Sequence, residues 1–430
     1  MALPKLKQDA TAARLDGLVL PGGAGWAVVA RDEALARVRA MGLPTRRDEY
    51  WRYTDPAALV APQAVPAAVF DDSDETPAFD GIDRLRLVFV DGRFDAAQSD
   101  ALEGSGLEIA LLSDVLARDI HWARDFYGQF EARGQAPVER PLAALNTALA
   151  SEGIVLRATG VVARPVHLVY LHRDPASDAI LHHLVRVEPG AALTLLESGP
   201  AAARFNKVAE VDVAEGGQFH HIRTQGRDHE RRAVTHVFAR VAAGAVFKSF
   251  TLTVNGRLTR NEVVIDITGD GANAHVGGAA LGDGADFHHD DTVFVTHDAV
   301  GCESRQVFKK VLRNGATGVF QGKILVKPGA QQTDGYQISQ SLLLDDDSVF
   351  LAKPELEIYA DDVKCSHGST SGAIDDTALF YLRSRGVPLA EAQNLMVLAF
   401  VAAALAEIAD ERLAEDLRLR LEGWLHRHRG

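Results

Sequence analysis

The chain has 430 residues, 47% of them apolar and 24% charged, enough at roughly 100–200 residues per domain for two or three units or one extended repeat array. Its 59 acidic residues outnumber 45 basic ones, and the resulting net charge of -14 repels phosphate backbones and excludes a general nucleic-acid binder. Two cysteines, Cys302 and Cys365, make no disulfide framework and suit a reducing compartment such as the cytoplasm.

Residues 1–152 read as a mixed α/β region. The opening Met1–Asp9 lacks the apolar run of a secretory leader. Asp32–Met41 carries apolar residues at helical spacing and stops at Gly42 and Pro44. Phe70–Asp80, with Asp71, Asp72, Asp74 and Glu75, reads as an exposed loop. Leu85–Val90 is a strand ending in an Asp91-Gly92 turn, and Leu142–Leu149 is again helical.

Residues 153–366 read as a β core. Short runs such as Val166–Leu171, Leu184–Val187, Leu193–Leu196, Val263–Ile267 and Val349–Leu351 alternate with glycines, and helical periodicity vanishes. Gly190, Gly217, Gly244 and Gly271 recur about every 27 residues, a solenoid period. A solenoid needs a tight corner in every coil, and glycine permits the positive φ of such corners. The expected fold is mainly β, with a parallel β-helix core; the rival is a Greek-key sandwich.

Residues 367–430 return to helices: Asp375–Leu382, Leu389–Ile408 and about Glu411–His428. The middle one is too apolar to stand alone in water and must pack on its neighbours, the β region or another protein. Its apolar stretch Leu395–Leu405 falls short of the ~18 residues that cross a bilayer.

At the junction lies Tyr359–Ser369. Cys365 and His367 are two apart, so on a strand they share a face. Thiolate and imidazole form a soft-metal pair, and Lys364 would help keep the thiol ionised. Two donors do not complete a zinc or iron site, so any metal would need ligands from elsewhere, another chain included. A buried cysteine beside a hydrogen-bonded histidine is the structural alternative. Cys302 reads as a core residue. The pairs His182-His183, His220-His221 and His288-His289 point to opposite faces and cannot easily chelate one ion. They read as half-exposed strand positions or as one member of an interior ladder. Asp345–Asp347 reads as a solvated turn. No phosphate loop, nucleophile elbow or zinc-protease helix occurs.

The run Ala360–Lys364 leading into Cys365-Ser366-His367-Gly368 resembles the signature of the SufB/SufD family of SUF iron–sulfur cluster assembly proteins, in its SufD branch. Ser339–Leu344, Lys353–Ile358, Phe380–Gly386 and Glu49-Tyr50-Trp51-Arg52-Tyr53-Thr54, with its Trp-Arg-Tyr-Thr motif, extend the likeness over most of the chain. The resemblance implies a right-handed parallel β-helix between an N-terminal region and a C-terminal helical domain. It implies a non-enzymatic scaffold that pairs with SufB through the β-helices and docks the SufC ATPase on the C-terminal helices. ATP hydrolysis would belong to SufC, and sulfur would come from a SufE- or SufU-type carrier. Carried over by position, His367 would contact a transient iron–sulfur cluster shared with SufB, with Cys365 as its neighbour and no cofactor held tightly by the chain alone. Without its partner the chain could form a homodimer. The nearest alternative is a SufB-like paralogue, which the low cysteine count disfavours. More distant ones are a β-helix enzyme acting on polysaccharide and a zinc hydrolase using Cys365 and His367.

Overall fold

A computed structural model describes residues 3–71, 76–199, 201–226 and 228–427. Asp72, Asp74 and Glu75 of the expected loop, and His428 of the expected last helix, lie outside these residues. The N-terminal region contains α1 (Lys5–Leu15), α2 (Gly25–Met41), α3 (Ala57–Val60), β1 (Leu85–Val90), β2 (Arg93–Phe94) and β3 (Leu107–Leu111). It ends with α4 (Leu112–Leu116), α5 (Gln129–Arg133) and α6 (Pro141–Leu149). Asp91 and Gly92 have φ of 49° and 81°, so the predicted turn is a two-residue type I′ hairpin joining β1 to β2.

From residue 154 strands follow one another without helices. They are β4 (Ile154–Ala158), β5 (Val166–Leu171), β6 (Asp178–Val187), β7 (Ala192–Ser198), β8 (Arg204–Val213) and β9 (Gln218–Gln225). Then come β10 (Arg232–Val241), β11 (Val246–Val254), β12 (Leu258–Ile267), β13 (Asn273–Asp283) and β14 (His288–His297). The series closes with β15 (Glu303–Arg313), β16 (Thr317–Val326), β17 (Thr333–Leu343), β18 (Val349–Ile358) and β19 (Val363–Gly372). The last strand thus carries the solenoid past 366 to Gly372.

Consecutive strands lie in different sheets. Odd-numbered strands from β5 to β19 form one sheet, even-numbered strands from β4 to β18 the other, and each ladder within these series is parallel. This two-sheet parallel solenoid excludes the Greek-key sandwich, whose ladders are antiparallel. Corners repeat as predicted: Gly190, Gly244 and Gly271 have φ of 70°, 60° and 67°, and each donates its N–H to the next coil's corner. At the fourth site Gly216, with φ of 64°, takes the left-handed position in place of the expected Gly217. In a Gly-Gly pair the spacing alone does not say which residue turns the chain.

The C-terminal helices are α7 (Asp376–Ser384), α8 (Leu389–Leu405) and α9 (Glu411–Arg427). Asp375 caps α7, its carboxylate accepting from the N–H groups of Thr377 and Ala378. Val397, Val401 and Leu405 of α8 and Leu413, Leu417 and Leu421 of α9 bury against Ile222, Phe250, Leu252, Leu281 and Val311 on the odd sheet's outer face. That contact answers the apolarity of the middle helix within the chain itself. No helix among the described residues is long and apolar enough to cross a membrane.

Candidate functional site

β18 and β19 end their sheets, each with a neighbour on one side only. Cys365 pairs with Gly335 and His367 with Gln337, which sets both side chains on one face of β19. That face is the solenoid interior. Cys365 packs in an apolar corner with Ile324, Val326 and Ala360, while Ser369 and Ser371 of the same face meet Ser339 and Ser341 at 3.1 and 2.8 Å. Further along, His367 is exposed at the open end of the stack. Beneath it in register lie Gln337 and Gln306, both fully buried, whose amides have no hydrogen-bond partner among the described residues.

Burial raises the Cys365 thiol, and Asp334 adds to the rise, while a backbone hydrogen bond with Gly335 works against it. The expected help from Lys364 is not delivered, because adjacent strand residues point to opposite faces. Cys365 is therefore a protonated, half-buried thiol and not a standing thiolate. Among the described residues no group of three or more His, Cys, Asp or Glu is arranged to hold a metal ion. His367 and Cys365 form a two-donor set that a cluster could use only with ligands from outside.

The histidine pairs follow the expectation only in part. His220 and His288 are half-exposed, whereas His182, His183, His221 and His289 are buried. His182 bonds Glu210 at 2.8 Å under the N-terminal region, whereas His183 faces inward to the Tyr170 hydroxyl at 3.0 Å. Successive members do not align in a ladder: His221 pairs with Ser249, and Ser249 with Val276. Cys302 is a core residue, as its sequence context implies.

Sequence reasoning missed a file of charge inside the solenoid. Glu197 accepts from Lys207, His221 and Tyr170, all buried. Burial lowers the Lys207 ammonium to about 8, with Glu197 opposing the shift. Three coils on, Lys310 bonds His289 and Asp291 at 2.7 Å each, and Asn261 links that group to Thr235 and Arg223. The available signal was charge at alternate positions of otherwise apolar strands.

The Trp-Arg-Tyr-Thr motif joins the N-terminal region to the solenoid. Thr54 donates to Asp290 at 2.6 Å, the Arg260 guanidinium lies 4.1 Å from the Trp51 ring centre, and Tyr50 bonds Glu355 at 2.5 Å. Two of the quoted motifs, some 300 residues apart in sequence, thus meet through Tyr50, Lys353 and Glu355. On α7 no side chain is buried, and Phe380 and Tyr381 are 74% and 56% exposed. The Arg385 guanidinium lies 4.9 Å from the Tyr381 ring centre, and Phe380 faces solvent.

Comparison with known proteins adds independent findings. Residues 170–400 match the family described as "SUF system FeS cluster assembly, SufBD core domain", and residues 27–167 match "SufBD protein N-terminal region". The chain is 30% identical to the iron–sulfur cluster assembly protein SufD of Escherichia coli (strain K12) over 402 residues, 90% of each chain. It is 26% identical to a SufBD family protein of Synechocystis sp. over 408 residues, 90% of this chain and 89% of that one. With SufD of Bacillus subtilis it shares 27% identity over 291 residues, 65% of each.

Proposed function

Because the chain belongs to the SufBD family of iron–sulfur cluster assembly proteins, we propose that it is a SufD-type scaffold subunit that completes a cluster site together with SufB. The observation that carries this reading is the open last coil: two unpaired edge strands, with His367 exposed on their inner face and Cys365 beside it. An exposed edge of ten-residue strands is a template for a partner's strands. Pairing there would bring donors from SufB to the incomplete set of His367 and Cys365. The iron–sulfur cluster is cargo on this view, assembled transiently and passed on. His367 supplies a neutral imidazole as ligand or proton carrier, and the half-buried thiol of Cys365 is a reserve donor that ionises only when a metal or a cationic group arrives.

The exposed face of α7 would dock the SufC ATPase, which supplies the nucleotide chemistry, and a SufE- or SufU-type carrier would bring sulfur to the assembled complex. The chain is then a scaffold with no turnover of its own. With SufB absent, the same edges would pair with a second copy.

The test is co-expression with SufB and SufC in cells lacking the native proteins. We expect His367→Ala to co-purify with both partners while cluster content on the complex, read from its visible absorption, falls about tenfold or more. Undiminished cluster content in that variant would remove His367 from the site. Failure of the wild-type chain to co-purify with SufB would remove the pairing.

A further inference from the structure

A cleft of about 880 Å³ lies between α9, residues 76–86 and the outer surface of β5, β7, β9 and β11. Its volume is in the range of small-molecule sites. Five lining residues are arginines (Arg84, Arg86, Arg173, Arg420 and Arg427), against one carboxylate, Asp416, among the described residues that line it. In a chain of net charge -14 this concentration of one sign runs against the overall composition.

Three of these cations, Arg84, Arg86 and Arg420, make most of their hydrogen bonds to neutral acceptors. Arg86 donates to the Gln98 carbonyl at 2.6 Å, and Arg84 to the Ile82 carbonyl at 2.9 Å and to His167 Nδ1 at 3.0 Å. Arg420 spans the Pro77 carbonyl at 2.5 Å and Asp416 at 2.7 Å. Asp80 comes no nearer to Arg84 than 3.7 Å and is mostly in solvent. Carbonyls orient guanidinium groups without cancelling their charge. The buried ring of His167 registers the result: burial first, then Arg84, Arg86 and Arg420, hold it down to about 3. The same cleft is also lined by apolar side chains that include Leu252, Val254 and Leu419.

We propose that this cleft binds a small phosphate-bearing organic molecule, its phosphate on the arginines and its carbon skeleton on the apolar side chains. The planar guanidinium fork matches phosphate oxygens in pairs, which a lysine cannot do. Arg420 and Arg427 come from α9, and Arg84 and Arg86 from the N-terminal region, so a bound phosphate ties the last helix to the start of the solenoid. None of these residues belongs to the open end, so the site stands or falls independently of His367.

The experiment is calorimetric titration of the full chain with phenyl phosphate and with inorganic phosphate in about 0.15 M salt, where non-specific surface attraction is screened. We expect one site per chain and about fivefold or more tighter binding of phenyl phosphate. The pair Arg86→Gln and Arg427→Gln should weaken it about tenfold or more, and Arg383→Gln, exposed on α7 and outside the cleft, should bind like the wild type. Should the double variant melt early, Leu419→Glu, which places a carboxylate on the exposed rim, should abolish binding in a chain of unchanged melting temperature. Absence of saturation up to about 10 mM, or equal binding by the Arg86/Arg427 and wild-type chains, would overturn the site. Equal affinity for the two phosphates would overturn the organic part of the assignment.

Discussion

Single residues under the N-terminal region bear more of the architecture than their number suggests. Glu210 is fully buried and accepts from the N–H groups of Gly128, Phe130 and Glu131 as well as from His182. One carboxylate thus fixes the start of α5 to the even sheet. Replacing it leaves several buried donors unsatisfied, so Glu210→Ala should cost about 3–5 kcal/mol by denaturant unfolding; a loss below about 1 kcal/mol would show that the region is held by other contacts. The buried histidines set the response to acid. Burial, chiefly, holds His167 and His183 at about 3 and His236 and His297 at about 4, well under the ordinary value near 6.5. They are neutral in the folded chain but take up protons near pH 6.5 when unfolded. Their contribution is therefore complete above about pH 6.5 and lost as the pH falls toward 3–4, by at most about 1.4 kcal/mol per pH unit for each. His172, raised by Asp228 despite its burial, works in the opposite direction. Urea midpoints at pH 7.5 and 5.5 should show the lower stability at 5.5, and the reverse order would contradict this assignment.

Among the elements, α7 contrasts with α8 and α9. The two longer helices bury their apolar stripes on the odd sheet, so cutting the chain after Gly372 would strip a core as well as the proposed docking face of α7. A cleaner probe is Phe380→Asp, which changes a side chain that touches solvent in the isolated chain. We expect an unchanged melting temperature and a loss of SufC binding of about tenfold or more in a pull-down titration; unchanged binding would place the ATPase elsewhere. The strands were legible where pattern and turn agreed. Leu85–Val90 and Val166–Leu171 coincide with β1 and β5, because each is a short, nearly unbroken apolar run bounded by polar residues or proline, as a strand covered on both faces requires. Strands that carry charge inward, such as those of Lys207 and Lys310, interrupt such a run and were not read as interior. The two-residue spacing of Cys365 and His367 fixed their common face, yet only the tertiary pairing revealed that one is half-buried and the other exposed.

For the molecule as a whole, the two ends of the solenoid differ in what they offer a partner. At concentrations of tens of micromolar the isolated chain should sediment as a dimer, and added SufB should convert it to a mixed pair; a monomer under all conditions would argue that the edges of β18 and β19 are not self-complementary. The opposite end is different. There the sheets finish in β2, two residues long, and β3, five residues long, and both run antiparallel to their neighbours. A stack that can be extended from only one of its faces has a built-in stop. Were two such bodies to join at their open ends, both receptive surfaces would be consumed and the stunted termini would face outward, so growth would halt at two.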